Sequence, residues 1–114
     1  MKKDPKVFLE HILDSINLIE SYVDKVNESG FHKTQPLQDA VIRRLEIIGE
    51  AVKNLPLTFK SKHPDVPWRK ITGMRDILIH EYFDVDLALT WMVVKHEIPL
   101  IKKQLSTILD NLDE

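Results

Sequence analysis

Cysteine is absent from this 114-residue chain, and glycine occurs only three times. Without cysteine there is no disulfide framework, no thiolate-ligated zinc, no iron–sulfur cluster and no thiol nucleophile. No apolar run exceeds four residues, the longest being Trp91 to Val94, so no segment is expected to span a membrane. Lys2 and Lys3 are not followed by an apolar stretch, so no secretory signal is expected and the cytoplasm is the expected location. No two of the five histidines have the i, i+4 spacing that lets one helix face chelate a metal. His80-Glu81 opens like a zinc-protease HExxH motif, but the position where the second histidine would stand is Asp84. No metal and no cofactor are therefore expected.

Hydrophobic residues at 43% and charged residues at 30% give enough apolar surface for a globular core and exclude a disordered chain. A single domain over residues 1–114 is the expected organisation. The net charge of −2 argues against a general nucleic-acid binder, yet it is unevenly distributed. Between Lys53 and Arg75 lie six basic residues and one acid, Asp65, a segment of +5 against −7 for the rest. A local basic surface on an acidic body is compatible with a phosphate-bearing ligand, and equally with an ordinary solvated loop.

Strand-type alternation is nearly absent; apolar residues recur at three and four. Phe8, Ile12, Ile16, Ile19, Val23 and Val26 predict a first helix from about Pro5 to Ser29, capped by Asp4 and stopped by Gly30. Leu37, Val41, Leu45, Ile48, Val52 and Leu55 predict a second, with Thr34 as cap, Pro36 in its first turn and Pro56 beyond its end. Gly49 lies inside that helix, where glycine costs about 1 kcal/mol against alanine, which suggests close approach of another backbone. Residues 57–67 are expected to be irregular, with one short helical turn. A third helix should start near Trp68, carry Ile71, Met74 and Leu78 inward, and end between Ile79 and Phe83. Asp84 or Asp86 should cap a fourth through Leu87, Trp91, Val94 and Ile98. Pro99 predicts a kink or break before the spacing resumes at Ile101, Leu105, Ile108 and Leu109. The expected class is all-α, a bundle of four main helices.

Histidine titrates near neutrality and is the residue type to examine for catalysis. His11 and His32 are expected on the surface and His96 partly buried. His80 stands out through its neighbours, Arg75-Asp76-Ile77-Leu78-Ile79-His80-Glu81-Tyr82. On one helix Asp76 and His80 form an i, i+4 pair, in which the carboxylate would favour the charged imidazole. Arg75 and His80 then lie about 140° apart at 100° per residue. One straight helix cannot aim both at a single atom; a deformed helix end, a wrapped arginine side chain or a second chain can. A helix with a satisfied histidine and a surface arginine is the plainer alternative.

Arg75-x-x-x-x-His80-x-Tyr82 resembles the R-x4-H-x-Y motif of the HepT-like proteins of the HEPN superfamily. The segment from Ala40 to Ala51, which contains Arg43-Arg44-Leu45-Glu46 and Gly49-Glu50-Ala51, is similar to that family as well, as is Pro67-Trp68-Arg69-Lys70-Ile71. The family often has asparagine where this chain has Asp76. The resemblance covers nearly the whole chain. It implies an all-α up-and-down bundle of four to five helices working as a symmetric homodimer. It implies a metal-independent endoribonuclease toxin of a toxin–antitoxin pair, whose usual partner is a small MNT-type nucleotidyltransferase antitoxin. In the family the tyrosine at the position of Tyr82 is one that the partner modifies with AMP.

A metal-free ribonuclease needs a base for the 2′-OH, an acid for the 5′-oxygen and a cation for the phosphorane. The expected assignments are His80 as base or acid and Arg75 on the phosphate oxygens, with Asp76 in support. Arg43, Arg44, Arg69 and Lys70 are candidates for RNA backbone contacts, or are solvated charge. Glu50 is expected to be a structural partner near Gly49. A competing reading is a non-catalytic helical subunit that presents Tyr82 or a substrate to a nucleotidyltransferase; such a scaffold does not need His80. A third is a helical interaction module that depends on neither Arg75 nor His80.

Overall fold

A computed structural model describes residues 4–81 and 84–112, with residues 80 and 81 as backbone only. The expected all-α class holds. Three long helices carry the core: α1 (Pro5–Val23), α3 (Gln35–Asn54) and α8 (Ile98–Leu112). Shorter pieces complete the chain: α2 (Glu28–Lys33), α4 (Leu57–Ser61), α5 (Trp68–Thr72), α6 (Met74–Leu78) and α7 (Leu87–Met92). A small antiparallel pair, β1 (Ile79–Glu81) and β2 (Asp84–Val85), lies between α6 and α7. No helix of the described residues is long and apolar enough to cross a membrane.

The helical stripes do become the core. Leu9, Ile12, Ile16 and Ile19 of α1, Val41, Leu45, Ile48 and Val52 of α3, and Ile98, Ile101 and Leu105 of α8 are buried. α1 packs along α3 and against α8. Burying one such side chain stabilises the fold by about 1.5–3 kcal/mol.

The first helix is shorter than its stripe predicts. It starts as expected, with the Asp4 side chain accepting from the Lys6 N–H at 3.0 Å, but it ends at Val23, and Lys25 takes a left-handed φ of 63°. The reason is Asn27, whose side-chain oxygen accepts the Gly30 N–H at 2.7 Å and so opens α2. Gly30 sits inside a new helix rather than stopping the old one. α2 inserts Phe31, fully buried, beside Trp91 at a centroid distance of 5.4 Å. Thr34 precedes α3 with no side-chain cap, because its Oγ1 donates back to the Gly30 carbonyl.

Of the kink or break that Pro99 predicts, the break does not occur. A π turn over Val93–Glu97 precedes the proline, in which the Ile98 N–H reaches the Val93 carbonyl. The wider turn accommodates a residue that has no N–H to return to the preceding turn, and α8 runs on to Leu112. His96, expected partly buried, is exposed on this turn.

The third predicted helix is two five-residue helices. The bend falls at Gly73, where the Thr72 Oγ1 donates to the Trp68 carbonyl, a side-chain bond that competes with the helical ladder. The second piece stops at Leu78. Its carbonyl accepts the Asp86 N–H at 2.8 Å, and the following Ile79, Tyr82, Phe83 and Val85 are β-formers. Asp86, not Asp84, is the next cap: its side chain accepts the Leu89 N–H at 3.0 Å.

Candidate active site

α3 runs antiparallel to the α5–α6 segment, and Gly49 marks a close approach between them. A Cβ on Gly49 would lie 3.5 Å from the carbonyl oxygens of Ile71 and Thr72, the backbone proximity that a mid-helix glycine suggested. One turn back along α3 and one turn on past Thr72, the two segments meet again through side chains. The Arg75 Nε–H donates to Glu46 Oε2 at 2.9 Å, across a sequence separation of 29 residues. A further turn on, Ile42 and Ile79 line one cavity.

The Arg75–Glu46 pair forms the ridge between two clefts. One, of about 470 Å³, is lined by Gln35, Gln38, Asp39, Ile42, Ile79, Val85 and Leu87 together with the pair. The other, of about 420 Å³, is lined by Arg43, Gly49, Glu50, Lys53, Thr72 and Asp76 together with the pair. Arg75 is 54% exposed at its side chain and Glu46 31%, so the guanidinium is held yet open to solvent. Its Nη1 lies 3.9 Å from Asp76 Oδ1, too far for a hydrogen bond.

The geometry removes the helical pairing expected of Asp76 and His80. The helix ends at Leu78 and His80 lies on the extended segment Ile79–Glu81, so the two do not form an i, i+4 helical pair. Asp76 is instead 86% exposed beside Arg75. The 140° separation computed for a single helix lapses for the same reason. The His80 side chain and Tyr82 lie outside the described residues.

The four basic candidates divide. Arg43 shares a cleft with Arg75, while Arg44 is half-buried and lines neither cleft. Arg69 and Lys70 line a separate groove with Leu57, Trp68 and Ile77, and Lys70 is ion-paired with Glu97. Glu50 is exposed and meets Lys53 at 3.5 Å. Among the described residues no three of His, Asp and Glu converge as a metal-binding group.

Glu46 is the site residue that helical spacing does not single out, because its partner lies on another segment. A signal for it exists nonetheless. If Gly49 touches the third helix in antiparallel register, the side chain one turn back on α3 must face that helix one turn further on, and the pair there is an acid and an arginine.

Residues 12–108 match the ribonuclease HepT-like family. The chain belongs to that family. Among its relatives, the "Gamma-glutamylcyclotransferase and putative RNase MJ0434" of Methanocaldococcus jannaschii is 54% identical over all 114 residues, which make up 51% of that protein. This HepT-like chain thus spans about half the length of that relative. The "Putative RNase TTE0752" of Caldanaerobacter subterraneus is 48% identical over 94% of the chain and 96% of its own length. The "Probable ribonuclease HepT" of Thermococcus cleftensis is 48% identical over 90% of the chain and 93% of its own length. No solved structure matches the chain significantly.

Proposed function

We propose that this HepT-like protein is a metal-independent endoribonuclease, the toxin of a cytoplasmic toxin–antitoxin pair silenced by an MNT-type nucleotidyltransferase. The observation that carries the reading is Arg75: a half-exposed guanidinium held on a ridge between two clefts, at the first position of R-x4-H-x-Y in a chain of this family.

RNA supplies its own nucleophile. The 2′-oxygen attacks phosphorus, the bond to the 5′-oxygen breaks, and the products are a 2′,3′-cyclic phosphate and a 5′-OH. His80 accepts the 2′-OH proton, and a second His80, from the partner of a symmetric homodimer, returns a proton to the leaving oxygen. Arg75 neutralises the phosphorane by donating to two of its oxygens at once, which lysine does less well. Arg43, in the same cleft as Arg75, is best placed of the basic candidates to hold the flanking RNA backbone; Arg44, Arg69 and Lys70 serve a longer path outside it. AMP on Tyr82 would add a phosphate close along the chain to Arg75, opposing RNA by charge and by volume.

The test is cleavage of RNA by the purified protein, with and without EDTA, followed by analysis of the product ends. Cyclic-phosphate ends that form equally in EDTA, and disappear in His80→Ala at an unchanged circular dichroism spectrum, are the expected result. Activity that requires a divalent ion, or survives in His80→Ala, refutes the mechanism.

A further inference from the structure

The sequence motif stops at Arg75, His80 and Tyr82, but the structure adds a fourth participant. We propose that Glu46 is the positioning residue for Arg75: its carboxylate fixes the guanidinium across the ridge so that the Nη edge is presented to the scissile phosphate. The inference rests on the ribonuclease reading above.

An arginine has five N–H donors, one at Nε and four on the two Nη atoms. Glu46 takes the Nε–H at 2.9 Å, and Asp76, 3.9 Å from Nη1, takes none. The bond to Glu46 therefore leaves the paired Nη–H donors that match a phosphate in bidentate fashion. A free arginine side chain carries about 2 kcal/mol of rotamer entropy. α6 does not restrict that freedom, since its own Asp76 makes no hydrogen bond to the guanidinium. α3 does, because Glu46 sits one turn from the close contact of Gly49 with Ile71 and Thr72. The carboxylate is also less exposed than the arginine it holds, 31% against 54%, so it lies on the protein side of the pair. A negative charge so close to a phosphate site opposes ground-state binding of RNA. Its benefit must therefore appear in the cleavage step, where geometry decides the rate.

The experiment compares wild type with Glu46→Ala, Glu46→Gln and Arg75→Ala. Single-turnover cleavage of an RNA oligonucleotide at saturating protein gives the chemical step. Anisotropy with the 2′-O-methyl form of the same oligonucleotide gives affinity without cleavage. Arg75→Ala should lose cleavage. Glu46→Ala should slow cleavage tenfold or more while its affinity stays within threefold of wild type or tightens. Glu46→Gln should recover to within about threefold of the wild-type rate, because the amide oxygen still accepts the Nε–H. Thermal melting of each variant accompanies the assay, and a mere structural role would lower the folded fraction without giving this split. An unchanged or faster Glu46→Ala, or a glutamine variant as slow as alanine, overturns the inference while Arg75→Ala remains inactive. An active Arg75→Ala overturns the ribonuclease reading of Arg75, and this inference with it.

Discussion

Gly49 gives the most direct check on the packing that builds the site. In Gly49→Ala the new methyl sits 3.5 Å from the carbonyl oxygens of Ile71 and Thr72 and 4.0 Å from the Thr72 Cα, all ordinary van der Waals separations, so nothing has to move. The helix gains the propensity difference between glycine and alanine, about 1 kcal/mol in an interior position. Relaxed sites of this kind typically return about 0.4–1 kcal/mol. Unfolding should therefore shift to higher denaturant with an unchanged slope, and the melting temperature should rise by roughly 2–6 °C. Gly49→Val extends two further carbons toward the same carbonyls. It must push α3 from the α5–α6 segment, at a cost of about 1–3 kcal/mol for overpacking. The same displacement separates Glu46 from Arg75. Urea denaturation followed by circular dichroism measures both variants. An alanine variant destabilised by about 1 kcal/mol or more, or a valine variant as stable as wild type, would refute the described spacing of the two segments.

Asp86→Ala removes the side-chain cap on the Leu89 N–H and should cost about 1 kcal/mol in denaturant melts, with Asp86→Asn retaining most of the stability. Leu78→Ala empties a fully buried position at the end of α6 and should cost about 2–5 kcal/mol by the same measurement. Tyr82→Phe should keep most of the RNA cleavage but gain no AMP when incubated with the nucleotidyltransferase and ATP, since a phenol of pKa about 10 is a poor base at neutral pH. Intact-mass spectrometry beside the RNA assay checks this, and a phenylalanine variant that still gains AMP removes the tyrosine from regulation.

The long elements were legible because their signals are local. The stripes of α1, α3 and α8 follow the 3.6-residue period; Asp4, Pro36 and Pro56 bound the first two by capping and by missing donors, and Asp86 opens α7. The elements that depart from their apolar spacing do so through competition between nearby signals. Gly30 was a plausible stop, but Asn27 captured its N–H first. Leu78 continued an apolar spacing, but its carbonyl bonded to the Asp86 N–H, eight residues on and outside any helical ladder. Within the site, Arg75 and His80 were visible as a motif, and Glu46 was not, because an ion pair between two segments leaves no period in either. The i, i+4 pairing of Asp76 with His80 is lost in the same way: it requires a helix that ends at Leu78, before the β-forming residues.

The helix that bears Arg75 has five residues, about one turn and a half, which is below the length at which a helix persists in water by itself. Its order is thus wholly tertiary, supplied by the buried Met74 and Leu78 and by the Glu46 pair. The twenty-residue α3 beside it carries six buried residues of its own. In hydrogen-exchange terms the two walls of the clefts should differ. Amides in the middle of α3 should exchange only through global unfolding, while those of α6 should exchange through smaller sub-global openings. The arginine would then be carried on the first wall to open, and its carboxylate anchor on the last.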